Sequence, residues 1–114
     1  MKQDALQMTL LFDYYGDLLT DRQKQCFDLY YNQDLSLSEI AAETGTTRQS
    51  AHDTLTRAAA LLESFEQTLG CIARDRRTQK TVRQILAAAQ ALRSVPGAQA
   101  LADEILQSAG ELKE

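Results

Sequence analysis

Apolar residues return every three or four positions along almost the whole chain, and nowhere do they alternate at period two for long enough to make a strand. The pattern predicts helices throughout. Met8, Leu11, Phe12 and Tyr15 share one face of a first helix over about 4–15, which Gly16 is expected to end in the left-handed conformation. Thr20 with Gln23 three residues on is a capping box that opens a second helix, from Asp21 to about Asn32. Its apolar side is Cys26, Phe27, Tyr30 and Tyr31. Ser36 with Glu39 repeats the device for a short third helix over about 37–43, with Leu37, Ile40 and Ala41 turned inward.

Thr44-Gly45-Thr46 reads as a tight turn, with Gly45 supplying a positive φ. Thr47 then caps a longer fourth helix over about 48–69, inward at Ala51, Leu55, Ala58 or Ala59, Leu62 and Phe65, and Gly70 closes it. A fifth helix over about 72–92 carries the stripe Val82, Ile85, Leu86, Ala89 and Leu92. Ser94-Val95-Pro96-Gly97 breaks the pattern. A sixth helix over about 98–112 carries Leu101, Ala102, Ile105, Ala109 and Leu112. The expected fold class is all-α: a helical bundle in 1–70 and a helical hairpin in 71–114, either packed on it or used to form a homodimer.

A capped short helix, a three-residue turn containing glycine and a capped second helix make a helix-turn-helix. That geometry sets Thr47, Arg48, Gln49, His52 and Thr56 along an outer ridge, opposite Ala51 and Leu55. Arginine suits guanine edges, glutamine suits adenine, and hydroxyls suit phosphates, so these five are candidate nucleic-acid contacts. The other reading of the same unit is a protein-binding scaffold.

Charge distinguishes the two halves. The chain has 114 residues and a formal net charge of −4. Residues 20–69 carry −4 of their own, whereas 70–93 carry +5, from Arg74, Arg76, Arg77, Lys80, Arg83 and Arg93 against Asp75. DNA readers draw much of their affinity from neutralising phosphates, and an acidic helix-turn-helix is poorly equipped for that. Arg76, Lys80 and Arg83 share one face of the fifth helix, flanked by Arg74 and Arg77. The five form either a solvated face or a contact for RNA phosphates or an acidic protein. From Ala73 onward there is no aromatic residue to stack on bases.

Nothing in the sequence suggests catalysis or a cofactor. It contains no glycine-rich phosphate loop, GxSxG, HExxH or CxxC. Ser50, His52 and Asp53 are neighbours on one helix, and their directions diverge by about 100° per residue. Two cysteines, Cys26 and Cys71, and the single His52 cannot assemble a structural zinc site, so no metal is expected. The longest uncharged apolar run, 85–92, is too short to span a bilayer, and the opening residues 1–4 lack an apolar leader. A cytoplasmic location is the expectation.

Leu19-Thr20-Asp21-Arg22-Gln23, the pair Tyr30-Tyr31, Leu37-Ser38-Glu39-Ile40-Ala41, and Arg48-Gln49-Ser50 with Asp53 together resemble the YlxM family, small bacterial proteins with a helix-turn-helix like region 4 of sigma factors. The resemblance covers about residues 6–69. It implies a non-enzymatic accessory or regulatory role in the signal recognition particle pathway, with that particle's RNA or GTPase as partner. The alternative is a DNA-binding transcriptional regulator that uses the helix-turn-helix. The chain departs from the family pattern at Thr46, Ser50, Ala51 and His52. The small Ala51 is expected to weaken packing of the recognition helix.

Overall fold

Two reciprocal caps start the helices that carry the site. The Thr20 side chain accepts from the Gln23 amide at 3.2 Å while Gln23 Oε1 accepts from the Thr20 amide at 3.0 Å. Ser36 and Glu39 do the same at 3.1 and 2.9 Å. Each pair satisfies two amides that a helix start otherwise leaves without partners.

The computed structural model describes residues 4–113. Residues 1–3, read above for the lack of an apolar leader, and Glu114 lie outside the described residues. The fold is all-α, with no strand among the described residues. The elements are α1 (Ala5–Tyr15), a 3-10 turn (Gly16–Leu18), α2 (Asp21–Phe27) continued as a π-wound segment (Asp28–Asn32), α3 (Leu37–Thr44), α4 (Arg48–Leu69), α5 (Cys71–Leu92) and α6 (Gln99–Gly110). Among the described residues no helix is long and apolar enough to cross a membrane.

Two compact units divide the chain, Met1–Ile72 and Ala73–Glu114. In the first, α4 is the spine. Its buried residues Ala51, Leu55, Ala58 and Leu62 meet Met8, Leu11 and Tyr15 of α1, Cys26 and Phe27 of α2, and Ile40 of α3. Phe27 is fully buried and sits in a run of rings: Phe12 is stacked on it at 4.8 Å between centroids and Tyr31 at 4.5 Å.

Two expectations are corrected. Gly16 does not end α1 in the left-handed region; at φ −56 it stays right-handed and leads into the 3-10 turn. The reason for glycine there is space, since a Cβ would stand 3.1 Å from the Phe12 ring. The second helix does not stay α-helical to Asn32, but widens into a π turn. The turn ends with Asp34 left-handed at φ 59 and the Leu35 amide donating to the Leu29 carbonyl at 3.0 Å. Ala51 is in the core as its inward position predicts, at 1% exposure.

The second unit is two helices joined by residues 93–98. The antiparallel arrangement is fixed at both ends. Gln79 Nε2 donates to the Leu112 carbonyl at 3.0 Å, and Arg93 Nε lies 3.1 Å from Asp103 Oδ1. The buried row here is Val82 and Ala89 against Ala102 and Ala109, with Leu86 and Leu106 half-buried. Leu101, Ile105 and Leu112, read as part of the apolar stripe of the sixth helix, are exposed, as are Ile85 and Leu92 of the fifth. A pair of helices can bury only one seam of each, and here the mainly alanine seam is the buried one.

Candidate nucleic-acid interface

The bend between α3 and α4 is made by Gly45 at φ 67, ψ 32, which left-handed backbone only glycine adopts freely. The Gly45 and Thr46 amides both reach back to the Ala41 carbonyl, the latter at 2.9 Å, and close the end of α3. The Thr44 hydroxyl donates to the Ile40 carbonyl at 2.8 Å and lies 2.9 Å from the Thr46 hydroxyl. Thr47 then caps α4, its side chain accepting from the Ser50 amide at 3.0 Å. The start and direction of α4 are thereby set by side chains immediately before it.

On that helix Thr47, Arg48, Gln49, His52 and Thr56 are all exposed. Their surroundings limit what they can read. Gln49 Nε2 donates to Asp53 Oδ1 at 3.0 Å, and His52 Nδ1 stands 3.7 Å from the same oxygen. The Thr56 hydroxyl donates to the His52 carbonyl of its own helix at 2.9 Å. A carboxylate thus sits in the middle of the ridge and occupies the amide that would meet a base. His52 and Asp53 were expected to diverge; both are exposed, with the reach to lean together.

Beside the ridge runs an open groove of about 560 Å³ along one flank of α4. Tyr30, Tyr31 and Leu37 form one wall, and Leu55, Ala59, Glu63 and Gln67 continue along the helix. Tyr30 and Tyr31, read as part of the apolar side of the second helix, pack against the core and are half-buried at the groove edge. Burial raises the Tyr31 hydroxyl above its ordinary pKa, and the neighbouring Tyr30 adds to the rise. The paired tyrosines were the available signal, but their second role needs the π turn, which no local pattern announces.

On α5, Arg74, Arg76, Arg77, Lys80 and Arg83 are all exposed. Val82 and Ala89 mark the buried side, and at about 100° per residue the centre of the cationic arc lies nearly opposite. Asp75 is the one acidic residue within that run, and it falls toward the buried side, half-buried. By contrast, residues 4–72 hold eleven carboxylates against four cations. The basic arc and the helix-turn-helix ridge therefore belong to different units.

Comparison with known proteins gives a consistent picture. A family described as "Putative helix-turn-helix protein, YlxM / p13 like" matches residues 2–101. A UPF0122 protein of Desulforamulus reducens is 44% identical over 80 residues, 70% of this chain and 68% of that relative. One of Thermoanaerobacter pseudethanolicus is 50% identical over 74 residues, 65% of this chain and only 63% of the relative's length. One of Caldanaerobacter subterraneus is 42% identical over 85 residues, 75% of this chain and 73% of the relative.

Proposed function

The chain belongs to the YlxM/p13-like family of helix-turn-helix proteins, and from that premise we propose that it acts without catalysis, in the cytoplasm, as an accessory protein of the signal recognition particle pathway that holds an RNA backbone against α5. The pathway follows from the family resemblance; the contact follows from the chemistry of the chain. The observation that carries it is the set of five exposed cations, Arg74, Arg76, Arg77, Lys80 and Arg83, on the arc of α5 turned away from its buried seam. An arc of cations without interleaved aromatics suits phosphates and is indifferent to base identity. The helix-turn-helix unit, with its excess of carboxylates, then serves as a scaffold.

A second reading has its own support. The exposed ridge of Thr47, Arg48, Gln49, His52 and Thr56 has the residue types and placement of a DNA reader. Retention of the purified chain on immobilised particle RNA, at stated salt, separates the two. The double variant Arg76→Glu, Lys80→Glu loses retention, and Arg48→Ala keeps it. Indifference to the double reversal, with duplex DNA binding abolished by Arg48→Ala, overturns the first reading for the second.

A further inference from the structure

We propose that the RNA held by α5 is an unpaired strand, whose backbone winds obliquely across the helix along Arg74, Arg77, Lys80 and Arg83. The RNA contact itself, as proposed above for α5, is the premise on which this rests.

Four of the five cations stand at strict three-residue spacing. On a helix the positions 71, 74, 77, 80, 83 and 86 form one continuous ridge, inclined about 45° to the axis. Both ends of that ridge are covered. Cys71 packs against the core of the first unit, and Leu86 is half-buried beside the seam of Val82 and Ala89. The four positions between them are exposed, and all four are cations. The ridges on either side carry one cation between them, Arg76, and one carboxylate, Asp75. Arg76 stands off the ridge, four residues before Lys80, and adds to its field. The pattern is a property of α5 alone.

Helix geometry then selects the ligand. Each step of three residues rises about 4.5 Å and turns about 60°, so side chains at a radius of about 5–6 Å stand roughly 7 Å apart. That is close to the separation of successive phosphates along one strand, so each cation can take one phosphate. From Arg74 to Arg83 the ridge turns through about 180° over about 14 Å, and these two side chains leave opposite sides of α5. The backbone of a duplex is stiff over so short a length, stays on one side of the helix and meets only part of the ridge. An unpaired strand can curl round and meet all of it. With no aromatic residue from Ala73 onward to stack on bases, the phosphates carry the affinity and the base sequence goes unread.

The test is an anisotropy titration of the full chain, from low ionic strength upward, against two probes: an unpaired polyuridylate strand and an RNA duplex of equal length. On the unpaired strand, Arg74→Gln and Arg83→Gln each take about 0.7 units from the slope of log affinity against log salt, one contact apiece. On the duplex, at least one of the two leaves the slope unchanged. Glutamine is a good helix former, so the far-ultraviolet circular dichroism of both variants matches the wild type. A strand slope that falls with only one of the two variants overturns the proposal and leaves the RNA reading in place. So does an equal loss from both on the duplex, or a strand that fails to bind while the duplex binds. Slopes on both probes that are indifferent to substitution of all four ridge residues overturn the RNA reading and the proposal together.

Discussion

The Tyr15 hydroxyl donates to Glu66 Oε1 at 2.5 Å across 51 positions of sequence, and so ties the end of α1 to the end of α4. The same hydroxyl accepts from the Cys71 amide at 3.0 Å, and Glu66 Oε1 also accepts from the Ile72 amide at 3.0 Å. Two amides at the start of α5 are thus satisfied by side chains of the first unit's core. Burial, then the bond to Glu66, pushes the Tyr15 hydroxyl well above its usual pKa, so it stays protonated and a donor at any physiological pH. Tyr15→Phe keeps the ring and removes the clamp. We expect the melting temperature to fall by about 5 °C or more, with helicity at room temperature preserved. A thermal melt followed by circular dichroism reads this, and an unchanged midpoint would show the clamp to be energetically idle.

Gly16 and Gly45 are glycines for different reasons, and double variants tell them apart. Gly45→Ala has room for its Cβ but must hold φ near 67, a strain of about 1–2 kcal/mol. Gly16→Ala has a permitted backbone but places Cβ 3.1 Å from a Phe12 ring already stacked on Phe27. In denaturant melts, Phe12→Leu should offset part of the Gly16→Ala loss and none of the Gly45→Ala loss. Equal rescue of both would contradict the assignment.

Three carboxyls are held below their ordinary range: Asp17 by Lys24, Asp28 by the side-chain amides of Asn32 and Gln33, and Glu39 by the Ser36 backbone amide of its capping box. Carboxyls depressed in the folded state give stabilisation that is fully present above their unfolded values, near pH 4, and is lost as pH falls through the folded values. The melting temperature should therefore be level from neutrality down to about pH 5 and drop below pH 4. Glu39→Gln retains a side-chain acceptor at the cap, and its acid limb should be shallower. Asp17 and Glu39 are exposed and Asp28 is half-buried at the surface, so each effect is small. An identical pH profile for wild type and Glu39→Gln would remove the capping carboxylate from the account.

Asp53 takes the Gln49 amide and places a negative charge amid the ridge. Asp53→Asn should raise affinity for non-specific duplex DNA several-fold at low salt, measured by fluorescence anisotropy. Weaker binding in that variant would mean that the carboxylate takes part in readout.

Much of this architecture can be read locally. Thr20 with Gln23, and Ser36 with Glu39, cap the helices they were expected to cap, because a capping box is complete within four residues. Gly45 and Thr47 define the bend for the same reason. What failed depends on packing rather than on spacing. Gly16 is decided by the Phe12 ring, which is itself stacked on Phe27, and the π turn accompanies the stacking of Tyr31 on Phe27. On α6, Leu101, Ile105 and Leu112 have the hydrophobicity and spacing of core residues, but α5 covers the Ala102 and Ala109 row instead. The exposure of the ridge and of the basic arc followed from helical phase alone. The bond from Gln49 to Asp53 involves two exposed rotamers that spacing permits but does not dictate.

The most direct test of the central claim is the salt dependence of particle-RNA binding, by anisotropy titration, for the wild type, Arg48→Ala, and the double variant Arg76→Glu, Lys80→Glu. If α5 carries the phosphate contact, the double variant loses roughly two units or more from the slope of log affinity against log salt, and Arg48→Ala leaves that slope unchanged. A slope that falls with Arg48→Ala and is indifferent to the α5 reversal would move the contact to the helix-turn-helix and contradict the account.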